Sequence, residues 1–151
     1  MAAPSGQAGA AVKGVDHIAV AVRDLEESSR FYREVLGLTG AGEETVAEQK
    51  VKVGFFSAGA TRIELLAPTD SDSPVAKFLE TRGPGLHHVC LEVEDLDAEL
   101  ERLRRAGVAF TAEQPRLGSH GSRIAFIHPR SSGGALIELC ERPGKFDRMA
   151  V

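Results

Sequence analysis

The stretch Val15-Asp16-His17-Ile18-Ala19-Val20-Ala21-Val22-Arg23-Asp24-Leu25 recurs as Leu86-His87-His88-Val89-Cys90-Leu91-Glu92-Val93-Glu94-Asp95-Leu96. Both 88 − 17 and 95 − 24 give an offset of 71 residues. Self-similarity of this kind reports architecture before any single motif does. Gly37 and Gly107 keep nearly the same spacing, 70 residues apart. Further on, Arg62-Ile63-Glu64-Leu65-Leu66-Ala67-Pro68 resembles Ala135-Leu136-Ile137-Glu138-Leu139-Cys140, with Glu138 lying 74 positions beyond Glu64. Each copy therefore runs His early and Glu late.

Local patterning assigns the elements. Ile18, Val20 and Val22 alternate with His17, Ala19 and Ala21, so the first set reads as a core face and the second as a cleft face. Val89, Leu91 and Val93 alternate likewise with His88, Cys90 and Glu92. The same rule sends His87 to the face opposite His88, in a structural or supporting role. Asp24 is a helix N-cap with Glu27 three residues on, as in a capping box; Leu25, Ser28, Tyr32, Val35 and Leu36 form the buried stripe and Gly37 stops the helix. Asp95 opens the second helix, with Leu96, Leu100 and Leu103 inward and Gly107 as terminator. Three strands come after each helix, near Leu38 to Val46, Gln49 to Ser57 and Thr61 to Leu66, then near Val108 to Glu113, Arg123 to His128 and Ala135 to Cys140. Ser73 before Pro74 predicts a linking helix over Pro74 to Thr81.

Strand, helix and three strands, done twice, predict an α+β fold: two βαβββ modules related by a pseudo-twofold axis, forming curled mixed sheets around a cleft. Module one spans 14–67, the linker helix 73–82 and module two 85–142, one domain over 13–142. Residues 1–12 read as a disordered tail and 143–151 as a second tail.

With 151 residues, 42% apolar and 26% charged, the chain is long enough for one real core and short for two independent domains. Its net charge of −4 arises from 22 acidic and 18 basic residues that are well mixed along the chain. No broad polybasic surface results, so neither nucleic acid nor a membrane is expected as a partner. Cys90 and Cys140 stand in apolar runs without a CxxC spacing, which argues against a disulfide framework and for a reducing cytoplasm. Met1 to Ala11 lacks the basic and Leu-rich regions of a secretory signal, and no apolar run approaches the roughly 20 residues that span a bilayer.

The repeat also dictates the chemistry. Each copy supplies one His from the cleft face of its first strand and one Glu from its last strand. A twofold relation brings two imidazoles and two carboxylates to one concave surface, a set suited to Co²⁺, Mn²⁺, Ni²⁺, Fe²⁺ or Zn²⁺ with positions left for water or substrate. A lone His on a strand is ordinarily structural or solvated. A carboxylate inside Ile-Glu-Leu-Leu or Leu-Ile-Glu-Leu, however, is costly to bury unless something pairs with it. His17, Glu64, His88 and Glu138 are therefore the candidate metal ligands. The loop Leu117-Gly118-Ser119-His120-Gly121-Ser122-Arg123 either presents backbone N–H groups to an anion beside Arg123 or is a plain surface turn. Glu48 and Gln49 are either a solvated strand start or a proton-transfer and polar substrate contact.

With these residues in place, the chain resembles the vicinal oxygen chelate (glyoxalase/bleomycin resistance/dioxygenase) superfamily, and within it the methylmalonyl-CoA epimerase family. The resemblance is carried by Val15 to Val20, Ile63 to Pro68, Asp72 to Leu79, Gly85 to Val89 and Gly121 to Pro129, and covers roughly Gly14 to Arg142. It implies an isomerase that interconverts (2R)- and (2S)-methylmalonyl-CoA by metal-assisted proton transfer at C2 through an enolate. It further implies an acyl-CoA substrate, a divalent ion with Co²⁺ first and Mn²⁺, Ni²⁺ or Zn²⁺ as alternatives, a homodimer, and His17, Glu64, His88 and Glu138 as ligands. Glu138 is the implied acid or base on one face of the substrate. Some relatives carry a glutamate on the second strand where this chain has Val53; Glu48, five residues earlier, is the catalytic candidate in its place, with a bound water as the alternative. Gln49, Ser122 and Arg123 are the candidate substrate contacts. A glyoxalase-type isomerase, another metal-dependent enzyme of the superfamily, and a non-enzymatic small-molecule-binding resistance protein are the competing readings. The last of these usually lines its cleft with aromatics, and this chain has no Trp and one Tyr.

Overall fold

A computed structural model of the chain describes residues 12–144. The expected tails lie outside the described residues apart from Val12, Pro143 and Gly144, and Val12 already belongs to the first strand, paired with Val93.

Module one consists of β1 (Val12–Ala21), α1 (Leu25–Arg30), β2 (Thr39–Val46), β3 (Val51–Ala58) and β4 (Thr61–Pro68). The linker forms α2 (Pro74–Arg82). Module two consists of β5 (Gly85–Val93), α3 (Leu96–Arg105), β6 (Arg116–Leu117), β7 (Arg123–Ile127) and β8 (Ile137–Glu141). All eight strands join one curled sheet in the order β2-β3-β4-β1-β5-β8-β7-β6. That order reads the same from either end once β1 is equated with β5 and β4 with β8. β1 and β5 run antiparallel at the centre, while β4 runs parallel to β1 and β8 parallel to β5. The paired-module α+β architecture expected from the repeat is the one observed.

Caps set the helices as expected. Glu27 N–H donates to Asp24 Oδ1 at 3.0 Å, Ala98 N–H to Asp95 Oδ1 at 3.0 Å, and Val75 N–H to Ser73 Oγ at 3.2 Å. Two expectations need correction. The first helix widens into a π turn over Phe31–Val35, with Leu36 N–H donating to Phe31 O. One extra residue in a turn rotates the remainder of the helix, so Val35 and Leu36 are 72% and 53% exposed rather than part of the stripe. In module two the strand expected near Val108 to Glu113 shrinks to a single bridge between Phe110 and Ile127, and β6 forms later, at Arg116.

Both faces of the sheet are packed. Val22, Leu25, Phe56 and Leu65 form the layer under α1, and Val93, Leu96, Leu100 and Leu139 the layer under α3. On the opposite face of module one, Ala19, Ala21, Val51, Val53, Phe55 and Leu66 pack beneath Val75 and Leu79 of α2. Burying a side chain of this size contributes roughly 1.5–3 kcal/mol, so α2 is firmly seated. The cleft face of module one is thus partly a second core, and the open part of the cleft lies toward module two.

Candidate functional site

Two β-bulges shape the centre of the sheet. The β1–β5 register passes from Val15↔Leu91 to His17↔Cys90, leaving Asp16 as an extra residue on β1. It passes from Ala19↔His88 to Val20↔Leu86, leaving His87 as an extra residue on β5. A bulge re-aims side chains that strict alternation would separate. Asp16 Oδ2 accordingly lies 2.6 Å from His17 Nδ1, and His87 Nδ1 lies 2.8 Å from His88 Nδ1. The expectation that His87 faces away from His88 is therefore corrected: the two rings meet edge to face, with centroids 5.1 Å apart.

The other edges of the two imidazoles converge. His17 Nε2 is 3.2 Å from His88 Nε2, and Glu138 brings one oxygen to 3.0 Å from His88 Nε2 and the other to 3.9 Å from His17 Nε2. These three residues, all buried, place one ligand atom each within 4.8 Å of one another. Glu64 approaches from the opposite ring edge: its Oε2 is 3.1 Å from His17 Nδ1 and accepts from Arg62 at 2.9 Å. The structure thus joins all four candidate ligands through His17, three of them as a compact group and Glu64 alongside.

Sequence reasoning missed the support behind His17. Asp16 accepts from Arg142 Nε at 2.9 Å and from Arg62 at 3.2 Å, and its carboxylate is 8% exposed. Its proximity to His17 in sequence was a visible signal; the bulge that makes the two share a face was not. Burial opposes ionisation of Asp16, but the hydrogen bonds to His17 and Arg142 and the charges of Arg142 and Arg62 outweigh it and hold the carboxyl well below its usual range. Burial disfavours charge on His17, yet Asp16, Glu64 and Glu138 raise its pKa overall. Burial likewise works against ionised Glu138, and His88, His17 and the Cys90 thiol more than offset it. His87 goes the other way, lowered to about 4 by burial and the neighbouring His88, with Glu138 opposing and Arg82 adding to the effect.

The donor set fits a cation. With Nδ1–H of His17 committed to Asp16, its Nε2 offers a lone pair whenever the ring is neutral. That lone pair faces the Nε2 of His88 and two carboxylate oxygens. Three electron-rich groups at such distances repel unless a proton or a metal ion lies among them, and two imidazoles with carboxylates suit a borderline divalent ion.

A cavity of about 690 Å³ opens beside this group, lined by His87 and His88, by Phe78 and Arg82 of α2, by Ile124 and Phe126 of β7, and at its mouth by Glu48 and Gln49. Module two's loop reaches over to that mouth: Leu117 N–H donates to Glu48 Oε2 at 3.1 Å and Gln49 Nε2 donates to Leu117 O at 3.3 Å. His120 N–H donates to Glu44 and its ring packs on Phe55 with centroids 4.4 Å apart, so this loop is a strap between modules rather than an open anion cradle. Ser122 is buried and donates to Ser119 O at 2.8 Å. Arg123 belongs to the helix side of the sheet, paired with Asp97 at 2.9 Å and Glu141 at 3.5 Å. Neither Ser122 nor Arg123 lines the cavity. Val53, 2% exposed, is packed among Val51, Phe55 and Leu66.

Comparison with known proteins fits this geometry. The family described as the Glyoxalase/Bleomycin resistance protein/Dioxygenase superfamily matches residues 16–126. An ethylmalonyl-CoA/methylmalonyl-CoA epimerase of Cereibacter sphaeroides is 39% identical over 127 residues, 83% of this chain and 95% of the relative. The crystal structure of methylmalonyl-CoA epimerase from Mycobacterium tuberculosis superposes with a TM-score of 0.87 at 40% identity, covering 95% of this chain and 97% of that one. A Streptomyces coelicolor methylmalonyl-CoA epimerase variant in complex with 2-nitronate-propionyl-CoA superposes with a TM-score of 0.84 at 36% identity, covering 88% and 99%.

Proposed function

The chain belongs to the glyoxalase/bleomycin resistance protein/dioxygenase superfamily and, within it, to the methylmalonyl-CoA epimerase family, and from that premise we propose that it interconverts (2R)- and (2S)-methylmalonyl-CoA by proton transfer at C2. The single observation that carries the reading is the buried group of His17, His88 and Glu138, of which His88 lines a cavity that could take a ligand.

His17, His88 and Glu138 would hold the divalent ion, with Glu64 as fourth ligand on release from Arg62; Co²⁺ is our first assignment and Mn²⁺, Ni²⁺ or Zn²⁺ the alternatives. When bound, the ion supplies Lewis-acid stabilisation of the negative charge that builds on the substrate oxygens as C2 loses its proton. Glu138 takes or returns the proton on one face, its carboxylate kept ionised by His88 and His17. Val53 is buried among apolar side chains and does not line the cavity, so the second proton route is assigned to Glu48, which does line it, acting through water. Gln49 is the polar substrate contact beside it. Asp16 fixes His17 in the tautomer whose Nε2 is free. The Ile124, Phe126 and Phe78 side chains exclude water from the acyl end of the cavity.

The free, buried Cys90 and Cys140 fit a reducing cytoplasm, and no helix among the described residues is long and apolar enough to cross a membrane. The exposed apolar Val15, Leu86 and Val89 on the central strands supply surface that a homodimer would cover. The test is to load the protein with Co²⁺, Mn²⁺, Ni²⁺ or Zn²⁺, add (2S)-methylmalonyl-CoA in deuterated water and follow C2 by NMR. Deuterium entry with formation of the 2R epimer supports the proposal, and no exchange with any of the four ions defeats it.

A further inference from the structure

The internal repeat extends one step beyond the four ligands. Asp16 and His87 are separated by the same 71 residues as His17 and His88, and each is the extra residue of its own β-bulge. Each also meets the Nδ1 of the imidazole next in sequence, at 2.6 Å for Asp16 and 2.8 Å for His87. The pseudo-twofold axis therefore relates two orienting residues as well as two histidines. They differ in chemistry: a carboxylate in one half, a second imidazole in the other.

The difference has a consequence that a carboxylate could not deliver. If His88 offers Nε2 to a cation, its own proton sits on Nδ1 and is donated to His87 Nδ1. A neutral His87 accepting there must carry its proton on Nε2. Among the described residues no side chain or backbone group is hydrogen-bonded to that Nε2. His87 also lines the cavity, held in place by the Phe78 ring at 4.9 Å between centroids. An N–H donor is thus presented where a ligand would lie, at the far end of a hydrogen-bond chain that begins at His88.

Resting on the epimerase reading for the identity of the ligand, we propose that His87 is a positioning residue with two contacts: it fixes the tautomer of His88 through Nδ1, and through Nε2–H it orients an anionic oxygen of the bound acyl thioester. Asp16 performs only the first of these for His17, since its carboxylate is enclosed by Arg62 and Arg142.

Two variants separate the contacts. His87→Phe keeps a ring against Phe78 but removes both nitrogens; His87→Asn keeps an acceptor near the position of Nδ1 and removes the distant donor. Cobalt affinity, the folded state by thermal melting, and KM and kcat for C2 exchange are measured for both. His87→Phe should lose at least about 10-fold in cobalt affinity, the size seen when an orienting partner of a metal ligand is removed. His87→Asn should restore cobalt affinity close to that of the parent yet keep a raised KM. Independently of any variant or activity, nitrogen NMR of the zinc-loaded protein should report His88 protonated on Nδ1 and His87 on Nε2. Parent-like cobalt affinity in folded His87→Phe, or the reverse tautomers, would overturn the orienting role. A parent-like KM in His87→Asn would overturn the ligand contact. Absence of exchange in the parent protein would instead strike the epimerase reading, while the cobalt and tautomer results would still decide the orienting role.

Discussion

His17 Nε2 and His88 Nε2 stand 3.2 Å apart across the β1–β5 junction, each on a ring whose Nδ1 is already engaged by the residue before it. A divalent ion held between them would take the place of the proton that otherwise separates these nitrogens and the Glu138 carboxylate. A divalent ion should therefore raise the melting temperature, with stabilisation of about 2.7 kcal/mol at a free concentration one hundred times the Kd. Calorimetry with and without cobalt checks this, and an unchanged melting temperature would count against the site.

Proton linkage gives the metal-free protein a stability profile with two limbs. Asp16 is held below its ordinary value of 3.8, so its contribution is present above that pH and is lost as the pH falls below it. His17 is raised above 6.5, so its contribution is complete below that pH and is lost as the pH rises through the raised value. Denaturant midpoints measured across both ranges should fall at each end, and Asp16→Asn should flatten the acid limb. A pH-independent acid limb in the parent protein would contradict the assignment. Cobalt competes with the His17 proton, so its affinity should weaken as the pH falls through the same raised value.

Glu138 and Glu48 should separate cleanly. Glu138→Gln removes a ligand and an acid–base group together, and C2 exchange should drop by at least about 100-fold, the lower range for general acid–base catalysis. Glu48→Gln keeps a side-chain acceptor for Leu117 N–H and leaves the buried group intact. It should slow interconversion of the epimers while leaving deuterium exchange on the Glu138 face. Equal loss of both rates in Glu48→Gln would place it elsewhere in the mechanism.

Gly118→Ala tests the strap that carries Ser122. A Cβ at Gly118 would lie 2.7 Å from Ile124 Cγ2 and 2.8 Å from Ser122 Oγ. Overpacking of this kind typically costs about 1–3 kcal/mol, and urea denaturation should register it. Parent-like stability would mean that the loop moves aside easily.

The residues that were legible in advance are those that obey the repeat. The offset between His17 and His88 placed two strands about a twofold axis, and the palindromic strand order is its consequence. The alternation rule failed where the pleat is interrupted: Asp16 and His87 share a face with their neighbours only because each bulge absorbs a residue. Val35 and Leu36 left the helix stripe for a comparable reason, the π turn. Arg123 is a candidate substrate contact by its motif, yet its parity with Ala125 and Ile127 puts it on the α3 side, where Asp97 and Glu141 pair with it. Periodicity reports regular backbone; the site is built where the backbone departs from it.

The most direct test of the metal site is a crystal structure of the cobalt-loaded protein with the ion located by anomalous scattering. The expected result is one cobalt bound by Nε2 of His17, Nε2 of His88 and the carboxylates of Glu138 and Glu64, with Glu64 turned from Arg62. Cobalt bound elsewhere, or those side chains ordered around no ion at all, would contradict it.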